Sequence, residues 1–491
     1  MTTFTNPILP GDRPDPAVIR VGEEYWMTYS SFEAAPGLLL HRSRDLVNWT
    51  YVTAALPEPI GNTFAVDIAE HDGRFFIYIP FIPAPWSELT EPSIFVVHAD
   101  AMEGPWSAPV DLGIRGAIDP GHVVDAEGRR WLFTNGIRRI RLSDDGLSTI
   151  GELEKVYDGW RYPDEWITEA YALEGPKLFR RGEWFYLVSA VGGTAGPPTG
   201  HMVIVARSRS IDGPWENHPR NPIARTTDAA QKWWSRGHAT LVPAPGAAVE
   251  GGDWWMVSHG YENGFRTLGR QILLEPIRWS ADGWPEAALD DIGGALVAPR
   301  GAGAQPDAVG FDDDFAELRL GERWAFHAPG LGEAARLTAG DGLRMAGKGA
   351  GPADTSPLAI LTGAHAYEVE VDVELEGDAE AGLLLFFNNR LFCGMGIDGE
   401  RMLSYSGGIR THWREPAPAT RRIALRIRNE EHIVSGWYRV GGGKWTRHAI
   451  RYETSGYHSN TIGDLLSLRP ALYAAGAGAA RFRDVRYRPL A

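Results

Sequence analysis

The sequence predicts an all-β protein, a five-bladed β-propeller followed by a jelly-roll-type β-sandwich. Three observations carry that expectation. A turn is followed by an aromatic-rich strand five times in the first part of the chain: EEYWMTYS (23–30), GRFFIYIP (73–80), GRRWLFTN (128–135), GEWFYLVSA (182–190) and GDWWMVSHG (252–260). Upstream of each strand stands an acid or a histidine, in order Asp15, Asp67, Asp119, Glu174 and His238. Beyond residue 310 the chain alternates polar and apolar residues, as in AYEVEVDVELEG, with little helical period. A recurrence every 50–70 residues or so, with several short strands per repeat, is the pattern of propeller blades. The first strand of each blade lines a central channel, so a residue recurring there is carried toward one axis.

The elements follow in order. The five repeats occupy 1–292, and their outer strands share a second signature, an acidic turn leading into Trp: SRDLVNWTYV, DAMEGPWSAPV, SRSIDGPWENHP and SADGWPEA. The third repeat, RRIRLSDDGLSTIGELEKV, is less regular, and its blade boundaries are soft. Residues 293–310, GGALVAPRGAGAQPDAVG, are rich in Gly, Ala and Pro and read as a linker. Residues 311–491 hold alternating strands such as RRIALRIRN and HIVSGWYRV, the pattern of an accessory sandwich.

Composition bounds the function. A chain of 491 residues exceeds one ordinary core. The net charge of −15, without a basic run, disfavours nucleic acid and anionic membrane as partners. No apolar stretch is long enough to span a bilayer, and no export signal is visible at the start, which favours a cytoplasmic location. The single cysteine, Cys393, excludes an intramolecular disulfide and reads as a small buried hydrophobe. The 19 Trp suit both blade packing and stacking on sugar rings, with packing expected for most.

Asp15 lies between two prolines in RPDPAV, which restrict its backbone and preorganise its carboxylate. Asp119 precedes a proline in AIDPGH, and Glu174 opens EGPKLF. Each alone reads as a turn initiator or strand-end cap; three at equivalent places around one channel read as function. Hydrolysis of an acetal needs such a set. One ionised carboxylate activates water, one protonated carboxyl serves the leaving oxygen, and a third raises the acid's pKa by repulsion.

In combination, NPILPGDRPDPAV, YWMTYSSFEAAPGLLLHRSRDLVNW, IDPGHVVDAEGRRWLF, LEGPKLFRRGEWFYLVSAVGGT, RGHATLV and LGRQILLEPIRW resemble glycoside hydrolase family 43 over residues 6–280. DDDFAELRLGERWAF and LSLRPALYAAG resemble the sandwich appended to β-xylosidases of that family. The resemblance implies a five-bladed propeller that hydrolyses β-xylosides or α-L-arabinofuranosides with inversion. Matched residue by residue, it implies Asp15 as general base, Asp119 as the group that tunes and orients the acid, and Glu174 as general acid. Arg270 in LGRQ matches an arginine that contacts the innermost sugar, and the competing reading is a structural ion pair. Phe32, Phe64 and Ile118 match positions lining that subsite.

His238 matches a histidine near the channel axis, where many members hold calcium through water. A buried, satisfied His competes with that reading, because calcium prefers about six to eight oxygens. The chemistry itself requires no cofactor. The family's usual WAPD reads FAVD here, making Asp67 structural, and Lys177 stands where a His often follows EGP. The function implied is an exo-acting inverting hydrolase releasing terminal xylose or arabinofuranose from xylo- or arabino-oligosaccharides derived from hemicellulose. Inversion implies a separation of roughly 6.5–9.5 Å between Asp15 and Glu174. Self-association is left open. Two alternatives remain: a five-bladed glycoside phosphorylase, which needs several basic residues around phosphate, and a non-catalytic carbohydrate-binding propeller.

Overall fold

Each aromatic strand forms the second strand of an antiparallel blade, as its alternation and preceding turn require; the first, third and fifth blades have four strands, and the second and fourth gain a short fifth. The computed structural model describes residues 2–83, 89–411 and 419–490. The innermost strands are Ala17–Val21, Asp67–His71, Gly121–Val124, Glu174–Arg181 and Trp233–Pro243, and each pairs with the aromatic strand that follows it. The irregular third repeat supplies complete outer strands, Arg138–Leu142 and Thr149–Lys155, with a register shift between Arg139 and Arg141.

Blades need apolar faces on both sides because each is sandwiched between neighbours, and this is why the aromatic strands are nearly continuously apolar. Trp26, Leu40, Ile68 and Val97 pack together between the first two blades, and Tyr186, Val203, Leu241 and Met256 between the last two. The ring closes through Val18 and Tyr25 of the first blade, Val242 and Leu273 of the fifth, and Phe4 and Ile8 of the N-terminal segment. Asn6 mimics a strand there: its Oδ1 accepts from the Leu274 N–H at 2.8 Å and its Nδ2 donates to the Leu274 carbonyl at 3.1 Å. Trp26, Trp233, Trp254 and Trp255 are all buried in such clusters, so these tryptophans serve packing.

The chain divides into two compact units. The first comprises 1–33, 37–263 and 270–306; within the segment read as a linker, Ala295–Val297 pairs antiparallel with Thr3–Thr5. The second comprises 34–36, 264–269 and 307–491 and consists of two eight-stranded antiparallel sheets. Strand Ala366–Glu376, AYEVEVDVELE, alternates half-exposed Glu and Asp with buried Tyr367, Val369, Val371 and Val373. That period of two builds one sheet of a jelly-roll-type sandwich. Cys393 is fully buried in the other sheet. No helix among the described residues is long and apolar enough to cross a membrane.

Candidate active site at the propeller hub

Four of the five inner strands deliver their polar residues to one place. Asp15 and Asp119 lie two residues before their strands, Glu174 opens its strand, and His238 lies inside its own. Asp15, Asp119 and His238 all adopt left-handed backbone conformations, at φ of 60°, 56° and 49°. These are strained for side chains with a Cβ and are kept where the surroundings over-determine them. Register shifts between Glu174 and Lys177 and on both sides of Gly237 mark bulges that re-aim Glu174 and His238 out of the ladder. Two glycines permit the crowding. A Cβ on Gly175 (φ 60°) would stand 2.8 Å from the His238 ring, and one on Gly237 would stand 2.2 Å from the His201 ring.

The His238 imidazole sits at the centre. Its Nδ1 is 3.8 Å from Asp15 Oδ1, and its Nε2 is 3.7 Å from both Asp119 Oδ2 and Glu174 Oε1. Asp15 therefore faces one ring nitrogen and the Asp119–Glu174 pair the other. Asp119 Oδ2 also accepts the backbone N–H of Gly175 at 3.1 Å, which anchors the peptide next to Glu174.

Asp15 is held on all sides. Arg270 Nη1 donates to its Oδ1 at 2.9 Å, the Ser30 hydroxyl to its Oδ2 at 2.5 Å, and the Asp15 N–H to His259 Nδ1 at 3.0 Å. Burial disfavours its charge, but Arg270, His238 and His259 overcome that and hold the carboxyl well below the usual range. Asp119 goes the other way. Burial, reinforced by the negative neighbours Glu174 and Asp15 and opposed by His238, pushes it up to about 7. Burial would lower His238, yet Asp15, Asp119 and Glu174 raise it to about 9, so it is an imidazolium at neutral pH. His259 is pushed down to about 4, by burial first, and stays neutral. The hub thus holds one firmly ionised carboxylate, Asp15, and a second, Asp119, that keeps its proton toward neutrality beside the Glu174 carboxyl.

The remaining sequence-derived residues fall around this centre. Phe32, at φ 46°, exchanges two backbone hydrogen bonds with Thr63, and its ring meets Phe64 edge-on at 5.4 Å. The Arg270 guanidinium lies 5.5 Å from the Phe32 ring, so Phe32, Phe64 and Arg270 form one wall. Arg270 is both the ion-pair partner of an acid and a donor with capacity left, since its Nη2 is buried without a hydrogen-bond partner. Ile118 is half-buried next to Asp119. Asp67 stands apart from the cluster. It accepts from Lys177 Nζ at 2.8 Å and from the His122 N–H at 2.7 Å, and the lysine that departs from the family pattern is its buried counter-charge.

Four contributors escaped sequence reasoning: Ser30, Asn135, His201 and His259. Asn135 Oδ1 accepts the Ile118 N–H at 3.0 Å and so braces the residue before Asp119. Buried His201 donates from Nδ1 to the Ser235 carbonyl at 3.3 Å and turns Nε2 toward Glu174 Oε1 at 3.8 Å. A signal for two of them existed. Ser30 and Asn135 each end an aromatic strand, whose last residue returns to the hub beside its own blade's acid.

Glu174, His201 and His238 place ligand atoms within 4.8 Å of one another. Two imidazoles, one of them protonated, and a single carboxylate do not match the oxygen shell calcium requires. The set does not fit calcium held directly by these side chains.

Fold and site together define a class: a five-bladed propeller whose hub gathers three carboxylates, an arginine and a protonated imidazole. The chain belongs to glycosyl hydrolases family 43, whose sequence model matches residues 4–285. Among curated proteins it is 34% identical over 330 residues to a xylan 1,3-beta-xylosidase of Vibrio sp, covering 58% of each chain. It is 31% identical over 348 residues to the non-reducing end alpha-L-arabinofuranosidase BoGH43B of Bacteroides ovatus, covering 66% of this chain and 61% of that one. These matches span somewhat over half the length of either relative. Among solved structures, the GH43 BlXynB protein from Bacillus licheniformis superposes with a TM-score of 0.85 over 99% of this chain and 100% of that one. Its 24% identity makes this a likeness of fold.

Proposed function

We propose that this chain is an exo-acting, inverting glycoside hydrolase that releases terminal xylose or arabinofuranose from xylo- or arabino-oligosaccharides. One observation carries the reading: an ionised Asp15 faces one nitrogen of the His238 imidazole, and a proton-retaining Asp119 together with Glu174 faces the other. Asp15 removes a proton from water as its oxygen attacks the anomeric carbon. Glu174 gives its proton to the glycosidic oxygen as the carbon–oxygen bond breaks. The products are a hemiacetal sugar and an alcohol, and Asp15 and Glu174 reset by exchanging protons with solvent. Attack from the face opposite the leaving group inverts the configuration. Arg270 Nη2 donates to the innermost sugar, with Phe32, Phe64 and Ile118 as the walls of its subsite. The xylosidase and arabinofuranosidase names of the two relatives support pentose as the sugar released.

A panel of nitrophenyl pentosides, assayed with and without a chelator, tests this reading. Turnover of β-xyloside or α-L-arabinofuranoside, unchanged by the chelator, is expected, because no step runs through a metal. No release from any pentoside would sink the proposal.

The raised affinity of Asp119 for a proton gives a pH prediction. The Asp119 proton is present below about 7 and is lost as pH rises, so kcat/KM falls on the alkaline side. Asp119→Asn removes the carboxyl that carries this proton. Its alkaline limb should therefore move to lower pH, by about one unit, equivalent to about 1.4 kcal/mol. A limb that stays in place or moves upward contradicts the tuning role.

A further inference from the structure

A cavity lined by Glu174 but by neither Asp15 nor Arg270 is left unused by the steps above. It measures about 320 Å³, within the range of small-molecule sites, and is lined by Asn135, Lys155, Asp158, Arg161, Tyr171 and Glu174. Its wall comes from the segment between the outermost strand of the third blade, ending at Lys155, and the inner strand of the fourth, beginning at Glu174. A connection of this length without strands of its own exceeds what joining two blades requires, and such loops commonly carry function. Its aromatics Tyr157, Trp160, Tyr162, Trp166 and Tyr171 pack onto the third and fourth blades, so the loop has a floor.

Arg161 is the distinctive group. Its guanidinium carbon lies 3.6 Å from the centre of the Tyr171 ring. That ring is fixed in turn, because the Tyr171 hydroxyl donates to the carbonyls of Asp158 and Trp160, both at 3.0 Å. The acid of the same wall, Asp158, is occupied by Lys155 Nζ at 2.5 Å. Among the described residues no carboxylate lies within ion-pair distance of Arg161. A guanidinium held against an aromatic ring retains a planar fork of N–H donors that can grip a carboxylate with two hydrogen bonds. An exposed arginine with no carboxylate in ion-pair range among the described residues, lining the same cavity as Glu174, also runs against the net charge of −15.

Resting on the hydrolase reading above, we propose that this cavity is the leaving-group subsite and that Arg161 makes it select a leaving group bearing a carboxylate. The substrate class is an oligosaccharide whose terminal pentose is followed by a uronic-acid-substituted sugar. Glu174 belongs to both spaces because its proton must reach the oxygen joining the two sugars. Arg161 touches no reacting atom and acts on specificity alone.

The test compares kcat/KM for two oligosaccharides that differ only in a uronic acid on the sugar following the terminal xylose. The wild-type protein should favour the acidic one by about tenfold, the scale of one charge-assisted hydrogen bond. Raised salt should erode that ratio. Arg161→Gln should bring the ratio near one, while Arg161→Lys, which keeps the charge and loses the fork, retains part of it. Calorimetric titration of the acidic leaving-group sugar alone should show binding to wild type that is lost in Arg161→Gln. An equal rate on both substrates, or a preference that survives Arg161→Gln, overturns the proposal even when nitrophenyl pentosides are cleaved. Failure on every pentoside removes the hydrolase reading first, and the titration still decides whether Arg161 binds the carboxylate.

Discussion

Glu174→Gln is expected to lower turnover of xylobiose by about 10³–10⁴-fold while a nitrophenyl xyloside loses far less. The asymmetry follows from the role. A sugar leaves as a strongly basic alkoxide unless a proton arrives as the bond breaks, whereas nitrophenolate is stable without one. Gln keeps the size of Glu174 and the bulged strand that aims it, so the change removes a proton and little else. Gly175, whose N–H is tied to Asp119, keeps the local peptide in place. Comparing the two substrates by steady-state kinetics checks the assignment. Equal losses on both would mean that Glu174 does not protonate the leaving group.

Asp15→Asn should produce the complementary pattern, a loss of about 10³-fold or more on both substrates alike, because each must be attacked by activated water. Asn can still accept from Arg270 through its oxygen and donate from Nδ2 to the Ser30 hydroxyl, so the fold should persist. The electrostatics of the hub should change, however. Asp15 is the foremost of the charges that raise His238, so its neutralisation should bring that imidazole down from about 9. Titrating the histidines by NMR in folded Asp15→Asn protein measures this directly. Wild-type-like turnover in the variant, or an unchanged His238, would remove Asp15 from the centre of the site.

These residues were legible in the sequence to unequal degrees. Asp15, Asp119 and Glu174 stood out because the blade repeat places a polar residue upstream of each aromatic strand. Arg270 was visible only through a family motif, and its attachment to Asp15 across 255 residues was not. His259 closes the strand GDWWMVSHG and was in plain view, yet nothing in its neighbours announces that its ring meets Asp15. His201 lies in an otherwise apolar strand opening and has no periodic marker at all. Lys177 read as a departure from pattern and proves to be the partner of Asp67, a pairing that becomes visible only when the second and fourth blades stand around one axis.

The sequence by itself determined the strands, their grouping into five blades and a sandwich, and the acids that head for the hub. Turn chemistry and side-chain alternation act over a few residues and are written locally. Only the tertiary structure decided which of those acids keeps its charge. Asp15 and Asp119 look alike in RPDPA and AIDPG, yet one is held ionised beside Arg270 and the other retains a proton beside Glu174. A carboxyl's protonation depends on its burial and on charges within a few ångströms, and chain folding brings those charges from hundreds of residues away.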